Sequence, residues 1–347
     1  MARRPADPSI HEFALIRSLA DRYACHSPGL VQGIGDDAAI IKTSGQTWCH
    51  LTTDLLAEGI HFDLKLMTPE SVGYRAAMAN LSDIAAMGAV PRYLLVSLAI
   101  PGTVKRSSIY QLYRGLMKAC RFYDVALIGG DTSASKGGLF LSITLVGTTS
   151  VRRALFRHGA KVGDHLYVSG TLGDSLAGLK LLMSSTTSHH LRKKKIEFSR
   201  SHRQFLVRRH SHPTARVAEG RWLKERRLAS AAIDLSDGLS GDLRHLCEES
   251  RVGAEVELDQ LPISPACRAY ARTIGVSPIR LALTGGEDYE LLFTASPHDS
   301  DTIERQAGTR GFRMTRIGTI RPPRFGIQMT FDGRTQPMPA ISYEHFR

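Results

Sequence analysis

Paired cysteines are missing from this chain of 347 residues: Cys25, Cys49, Cys120, Cys247 and Cys267 are odd in number, far apart and never in a C-x-x-C pair. That spacing offers neither a disulfide framework nor a zinc site, and it suits a reducing cytoplasm. Long apolar runs are missing too. No segment approaches the roughly 18 unbroken apolar residues of a membrane span, and MARRPADPSIHEF at the N-terminus has no apolar stretch behind its basic residues, so neither membrane nor export is expected. There is no G-x-x-x-x-G-K-[ST] phosphate loop and no protein-kinase signature set. If nucleotide is bound, metals and glycine-rich backbone from several segments must hold its phosphates.

What the chain does have is an ordinary globular composition, 42% hydrophobic and 22% charged with 31 glycines, at a length that favours two domains sharing a cleft. Its formal charge is +12, but residues 189–210, HHLRKKKIEFSRSHRQFLVRRH, carry eight Lys or Arg against one Glu. A single block behind a Ser/Thr/His run is unlike the spread of Lys and Arg, interleaved with aromatics, that binds nucleic acid. It reads as a solvated insertion spanning about 184–210, with an anionic partner as the alternative.

Periodicity organises the rest as an α/β protein. Residues 10–23 read as a helix, AAIIK and WCHLTTDLL as strands, and Thr68-Pro69-Glu70 as the start of a helix running to Met87 and stopped at Gly88. YLLVSLAI (93–100), ALIGG and LFLSITLVGT are further strands, and 105–122 is a helix. One unit thus closes near residue 150, giving domains 1–150 and 151–347. The second restarts with GDHLYVSG, a helix in GTLGDSLAGLKLLM that Asp174 could cap, and AAIDLSDGL, a strand leading to a helix through His245. VGAEVEL, LALTGGEDYELLFTA and MTRIGTI supply more strands, and FGIQMTFDGRTQPM reads as a hairpin turning at Asp332-Gly333.

Acidic residues recur where strands are expected to end, set among Gly, Ser and Thr: GIGDDAAI (33–40), LTTDLLAEGIHF (51–62), IGGDTSAS (128–135), AIDLSDGLSGDL (232–243) and ALTGGEDYELLF (282–293). Carboxylates converging beside apolar runs are costly unless compensated, and a hard divalent cation compensates them while bridging to phosphate. GIGDDA mimics a dinucleotide fingerprint, but its two aspartates would repel bare phosphate; Asp36 or Asp37 either binds metal or stabilises a turn. Asp83 falls on a small-residue helix face with Val72, Ala76, Ala79 and Met87, where a bridge to Arg75 is the competing explanation. Asp234 and Asp237 are spaced i, i+3. Glu287 and Asp288 follow a glycine pair, and helix capping competes for each of these acids.

Together with NLSDIAAMGAVPR, RALFRHGAKVGD, VSGTLGDSLAGL and the terminal YEHF, these segments resemble thiamine-monophosphate kinases, of the superfamily that includes aminoimidazole ribonucleotide synthetase. The resemblance spans nearly the whole chain. It implies a two-domain fold with mixed sheets, and N-terminal domains that pair into a homodimer and hold ATP and magnesium. It also implies transfer of the γ-phosphoryl of ATP to thiamine monophosphate. By position it implies magnesium ligands at Asp37, Thr52, Thr53, Asp54, Asp83, Asp131, Asp234 and Asp237. ATP contacts are implied at Gly130, Asp131, Arg157 and Ser236, with Tyr113 as a further candidate, and substrate contacts at His61, Glu287 and Tyr343. Ala340 stands where some relatives place an aromatic. Another ATP-using synthetase of the superfamily is the rival enzyme reading, and an idle nucleic-acid binder using the basic block is the rival outside enzymes; the latter leaves the acids unexplained.

Overall fold

Two mixed sheets organise the chain in the computed structural model, which describes residues 12–23, 27–150, 153–186 and 198–341. The first contains β1 (Leu30–Gln32), β2 (Ala39–Lys42), β3 (Trp48–Ala57), β4 (Val90–Pro101), β5 (Ala126–Ser135) and β6 (Phe140–Thr149), in the order β1-β2-β3-β6-β4-β5. Only the β4–β5 pair is parallel among these neighbours. Along β6, Leu141, Ile143 and Leu145 are fully buried and alternate with half-buried residues, the pattern of a sheet with one covered face. Helix α2 (Pro69–Ala86) covers it, backed by α3 (Arg106–Phe122). Thr68 caps α2 as the sequence predicts, its hydroxyl accepting from the Ser71 N–H at 3.1 Å with Pro69 in the first turn. Helix α1 (Glu12–Tyr23) precedes this sheet. The opposite face is open, with Thr53, Leu55 and Ser97 exposed and the outer strand β5 exposed along almost all its length.

The second sheet has the order β13-β12-β9-β11-β7-β10-β8. Its strands are β7 (His165–Ser169), β8 (Ala231–Asp234), β9 (Gly253–Glu257), β10 (Leu291–Ala295), β11 (Met314–Arg321), β12 (Ile327–Phe331) and β13 (Arg334–Pro337). The helices of this half are α4 (Asp174–Thr186), α5 (Arg200–Ser211), α6 (Val217–Arg226), α7 (Leu239–Ser250), α8 (Pro265–Ile274), α9 (Pro278–Thr284) and α10 (Pro297–Thr309). The β12–β13 hairpin turns at Asp332-Gly333, both with positive φ (48° and 71°), as the Asp-Gly pair predicts. The halves meet where α6 lies against α2. A Cβ on Gly220 would stand 1.9 Å from the Ala85 carbonyl oxygen, so only glycine lets the two helices approach this closely.

Several expectations change. LALTGGEDYELLFTA is not one strand: Pro278 sits in the first turn of α9, which runs to Thr284, and β10 begins only at Leu291. Asp54 and Asp131 lie inside β3 and β5 rather than at strand ends. Asp174 does not cap α4; it is the first helical residue, and Asp288 does the capping from another loop, accepting from the N–H groups of Gly173 (2.6 Å) and Ser175 (3.0 Å). The basic block is not a solvated insertion throughout. Its second half forms α5, capped by Ser199, with Leu206 and His210 buried. Residues 187–197, including all three of its lysines, lie outside the described residues, as do Cys25 and Tyr343.

Candidate active site

The loop between β1 and β2, the last turn of α2 and the end of β8 bring Asp37, Asp83 and Asp234 together, each offering one carboxylate oxygen within 4.8 Å of the others. Asp54 joins them electrostatically from β3, raising the proton affinity of Asp83 and Asp234. Neighbouring hydroxyls aim the carboxylates. Thr52 donates to Asp83 Oδ2, and Ser82, the residue before Asp83, donates to Asp234 Oδ2 at 2.7 Å. The bridge between Asp83 and Arg75 that competed with metal binding does not form, because Arg75 points to Glu287 and His210 instead. Asp36 settles the local turn, its Oδ1 accepting from the Asp37 N–H at 2.9 Å.

Burial makes this cluster expensive. It pushes Asp54 up to about 6, and with the neighbouring Asp37 charge it pushes Asp36 up to about 7 and Asp234 up to about 8. Asp83 rises well above the usual carboxylate range through burial and the charges of Asp54, Asp234 and Asp37. Arg157 offsets part of the charge, donating to Asp37 Oδ1 from its Nε (3.2 Å) and a terminal nitrogen (2.6 Å). The other oxygen, Asp37 Oδ2, is buried with no hydrogen-bond partner. An orphaned buried carboxylate oxygen beside two further convergent carboxylates fits a hard divalent cation.

A pH dependence follows. The metal-free folded protein retains protons that unfolded aspartates, with values near 3.8, have already lost, so its stability should fall as pH rises through the folded values. The buried His50 and the half-buried His245, pushed down to about 4, act in the opposite direction, but that effect is complete once pH passes the free imidazole value of about 6.5. Thermal melts in chelator should therefore show the melting temperature dropping between about pH 7 and 8.5, and magnesium should flatten the slope. A rise over that interval in chelator would contradict it.

The remaining predicted residues are distributed as follows. Thr53 faces the open side of the first sheet, donating to the Ile143 carbonyl at 3.1 Å. Asp131 is exposed and level with Ser97, whereas Asp54 is level with Ile143, so the two acids lie in adjacent rows of the sheet. Gly130 permits the close approach of β5 to β4: a Cβ there would lie 1.8 Å from the Val96 carbonyl oxygen. Tyr113 packs against the first core. His61 follows β3, its Nδ1 accepting from the Ala57 N–H at 3.0 Å. Ser236 and Glu287 meet through their backbones, Ser236 O accepting from Glu287 N–H at 2.8 Å, so the DLSDG and GGEDY loops are zipped together. The N–H groups of Asp237 and Gly238 donate to Asp242, a buried acid that the sequence reading passed over; its signal was the short spacing in DGLSGD. Ala340 is exposed, and the preceding Pro339 carbonyl is held by the Ser240 hydroxyl.

Two family models match in tandem: "AIR synthase related protein, N-terminal domain" over residues 35–149 and its C-terminal counterpart over 161–329. Thiamine-monophosphate kinase of Salmonella typhimurium is 37% identical over 335 residues, covering 96% of this chain and 98% of that protein. The chain belongs to the thiamine-monophosphate kinase family. The homologue from Aquifex aeolicus is 40% identical over 261 residues, 75% of this chain and 80% of its own length. A solved structure described as AaThiL complexed with AMPPCP and TMP superposes with a TM-score of 0.83 at 34% identity, covering 99% of this chain and all of that one. The acid cluster thus sits where the two matched segments of the family fold meet, with Asp37, Asp54 and Asp83 from the first and Asp234 from the second.

Proposed function

We propose that this protein transfers the γ-phosphoryl group of ATP to thiamine monophosphate, giving thiamine diphosphate and ADP. The observation that carries the reading is the convergence of buried carboxylates from both halves of the chain, in a fold that superposes on a relative complexed with AMPPCP and TMP. Phosphoryl transfer between two anionic phosphates is chiefly a matter of positioning and charge neutralisation. Asp37, Asp54, Asp83 and Asp234, with Thr52 beside them, would hold magnesium; Asp131 and Asp237 are candidates for ions shared with the nucleotide, and Thr53 for the open face of the sheet. When bound, such ions supply positive charge to the phosphate oxygens.

The chain's own groups would do the rest. Arg157, held on Asp37 through Nε and one terminal nitrogen, would turn an N–H of its other terminal nitrogen to a phosphate oxygen; Gly130 and Ser236 would meet ATP through close backbone and hydroxyl contact, with Tyr113 a further candidate. His61, Glu287 and Tyr343 are assigned to the acceptor. The acceptor oxygen is ionised at neutral pH, so no general base is nominated and transfer is direct and in line, without a phosphoenzyme. The division near residue 150 would separate an ATP- and magnesium-binding unit from a unit completing the acceptor site. The open face of the first sheet, with Leu55 58% and Ile128 57% exposed, supports pairing of two such units into a homodimer. Among the described residues no helix is long and apolar enough to cross a membrane; the widely spaced cysteines support a cytoplasmic setting.

Incubation of the pure protein with ATP, magnesium and a panel of vitamin and nucleotide monophosphates tests this. Thiamine monophosphate, and not free thiamine, should yield the diphosphate with one ADP released per turnover. Release of AMP, or equal use of free thiamine, would reject it.

A further inference from the structure

Arg75 lies on α2 eight residues before Asp83 and is 2% exposed, with no acidic partner on its own helix. Its guanidinium reaches across to the second half of the chain. It donates to Glu287 Oε1 and to His210 Nε2 at 2.9 Å, and the Tyr289 hydroxyl is an electrostatic neighbour. Because Nε2 of His210 accepts from an arginine, its Nδ1 carries the proton and donates to Ser175 Oγ at 3.0 Å. Burial and the adjacent Arg75 charge hold His210 well below the usual imidazole value, in keeping with a neutral ring.

Two of these neighbours sit on unusual backbone. Glu287 and Tyr289 both have positive φ, 64° and 52°, a conformation that is strained for a non-glycine residue and persists only where the surroundings over-determine it. Backbone bonds from Glu287 N–H to Ser236 and from Tyr289 N–H to Leu235 fix the main chain against the DLSDG loop. The side chains are fixed by Arg75. Tyr289, itself buried, is within electrostatic reach of Arg75 and of Asp54 and Asp234 in the acid cluster. Glu287 keeps 29% of its side chain exposed, enough to present one oxygen outward. A carboxylate there is suited to a cationic heterocycle or its amino group, and not to a phosphate.

We propose that Arg75 is a positioning residue for the acceptor, holding Glu287 and Tyr289 as one unit so that Glu287 meets the cationic end of thiamine monophosphate while the acid cluster meets the phosphates. This rests on the assignment of Glu287 to the acceptor. The residue touches no substrate itself; it joins the two subsites through one buried guanidinium whose two terminal nitrogens serve His210 and Glu287 separately, which the single ammonium of a lysine cannot imitate.

Steady-state kinetics on Arg75→Met, Arg75→Lys and Glu287→Gln, varying each substrate in turn, tests it. Glu287→Gln and Arg75→Met should each raise KM for thiamine monophosphate about tenfold or more with KM for ATP within about twofold, and the double variant should be little worse than either single one. Arg75→Lys should fall between wild type and Arg75→Met, and it decides the matter if Arg75→Met does not fold. An unchanged acceptor KM in Glu287→Gln would overturn the Glu287 assignment and the proposal with it. A normal acceptor KM in the Arg75 variants beside an altered Glu287→Gln, or equal rises in both KM values, would overturn the positioning role alone.

Discussion

Asp83→Asn and Asp234→Asn should each lower turnover by about 100-fold to 1000-fold, the scale on which removal of a preorganised charge-stabilising group is felt. Asp234 is buried and Asp83 half-buried in a cluster whose members already raise one another's proton affinity, and Ser82 and Thr52 hydroxyls hold the carboxylates in place. An amide of the same shape keeps those hydrogen bonds and removes the repulsion. The metal-free variants should therefore melt higher than the metal-free parent, as active-site neutralisations often do, while losing the upward shift that magnesium gives the parent. Near-parental turnover in both variants would reject the cluster as the seat of phosphate chemistry. Asp131→Asn separates two possibilities: a similar loss would place this exposed acid at the nucleotide, whereas a small effect would leave it to the open face of the sheet.

Glu290→Ala should destabilise the fold by about 3–5 kcal/mol, the range for breaking a buried charge network by removing one partner. The Glu290 carboxylate is fully buried and accepts from Arg216 Nε (2.5 Å) and a terminal nitrogen (2.6 Å), from Arg209 (2.7 Å) and from Ser169 Oγ (2.6 Å). Burial alone would raise its pKa, but Arg216 and Arg209 outweigh it and hold the group below its ordinary value of 4.5. Its contribution is therefore present at neutral pH and is lost as pH falls through the folded value. In the variant two partly buried guanidiniums lose their shared counter-ion, and α5 and α6 lose their tie to β10. Urea unfolding would show this as a lower midpoint with an unchanged slope; a loss under about 1 kcal/mol would mean that the arginines find water or another acid.

What the sequence disclosed was governed by local rules. The Thr68-Pro69 start of α2, the Asp332-Gly333 hairpin and the alternation in β6 depend on neighbouring residues only, and each was legible. So was the chemistry of the acid segments, because carboxylates beside glycine and apolar runs require compensation wherever the chain folds. The pairing of those acids was not legible. GGEDYE shows why: Glu287 joins Arg75, Asp288 caps α4, Tyr289 faces Arg75 and the acid cluster, and Glu290 anchors two arginines. Four successive residues take four destinations set by left-handed backbone at two of them, which no periodicity announces. The basic block misled for a related reason. Arg209 carries the same charge as its exposed neighbour Arg208, and it is drawn inward by Glu290, the Asp288 carbonyl and Asp174, all distant in sequence.

Helix α2 bears on how substrates enter. Near its start Arg75 is locked to Glu287 and His210, and near its end Ser82 is bonded to Asp234 while Ala85 touches the glycine of α6. A hinge-like opening of the two halves would have to break an ion pair whose arginine is buried, a buried hydroxyl bond and a backbone contact at once. Such a joint behaves as a weld rather than a hinge, so admission of ATP and release of ADP fall to the loops around the cleft, with the catalytic geometry standing ready before either substrate arrives.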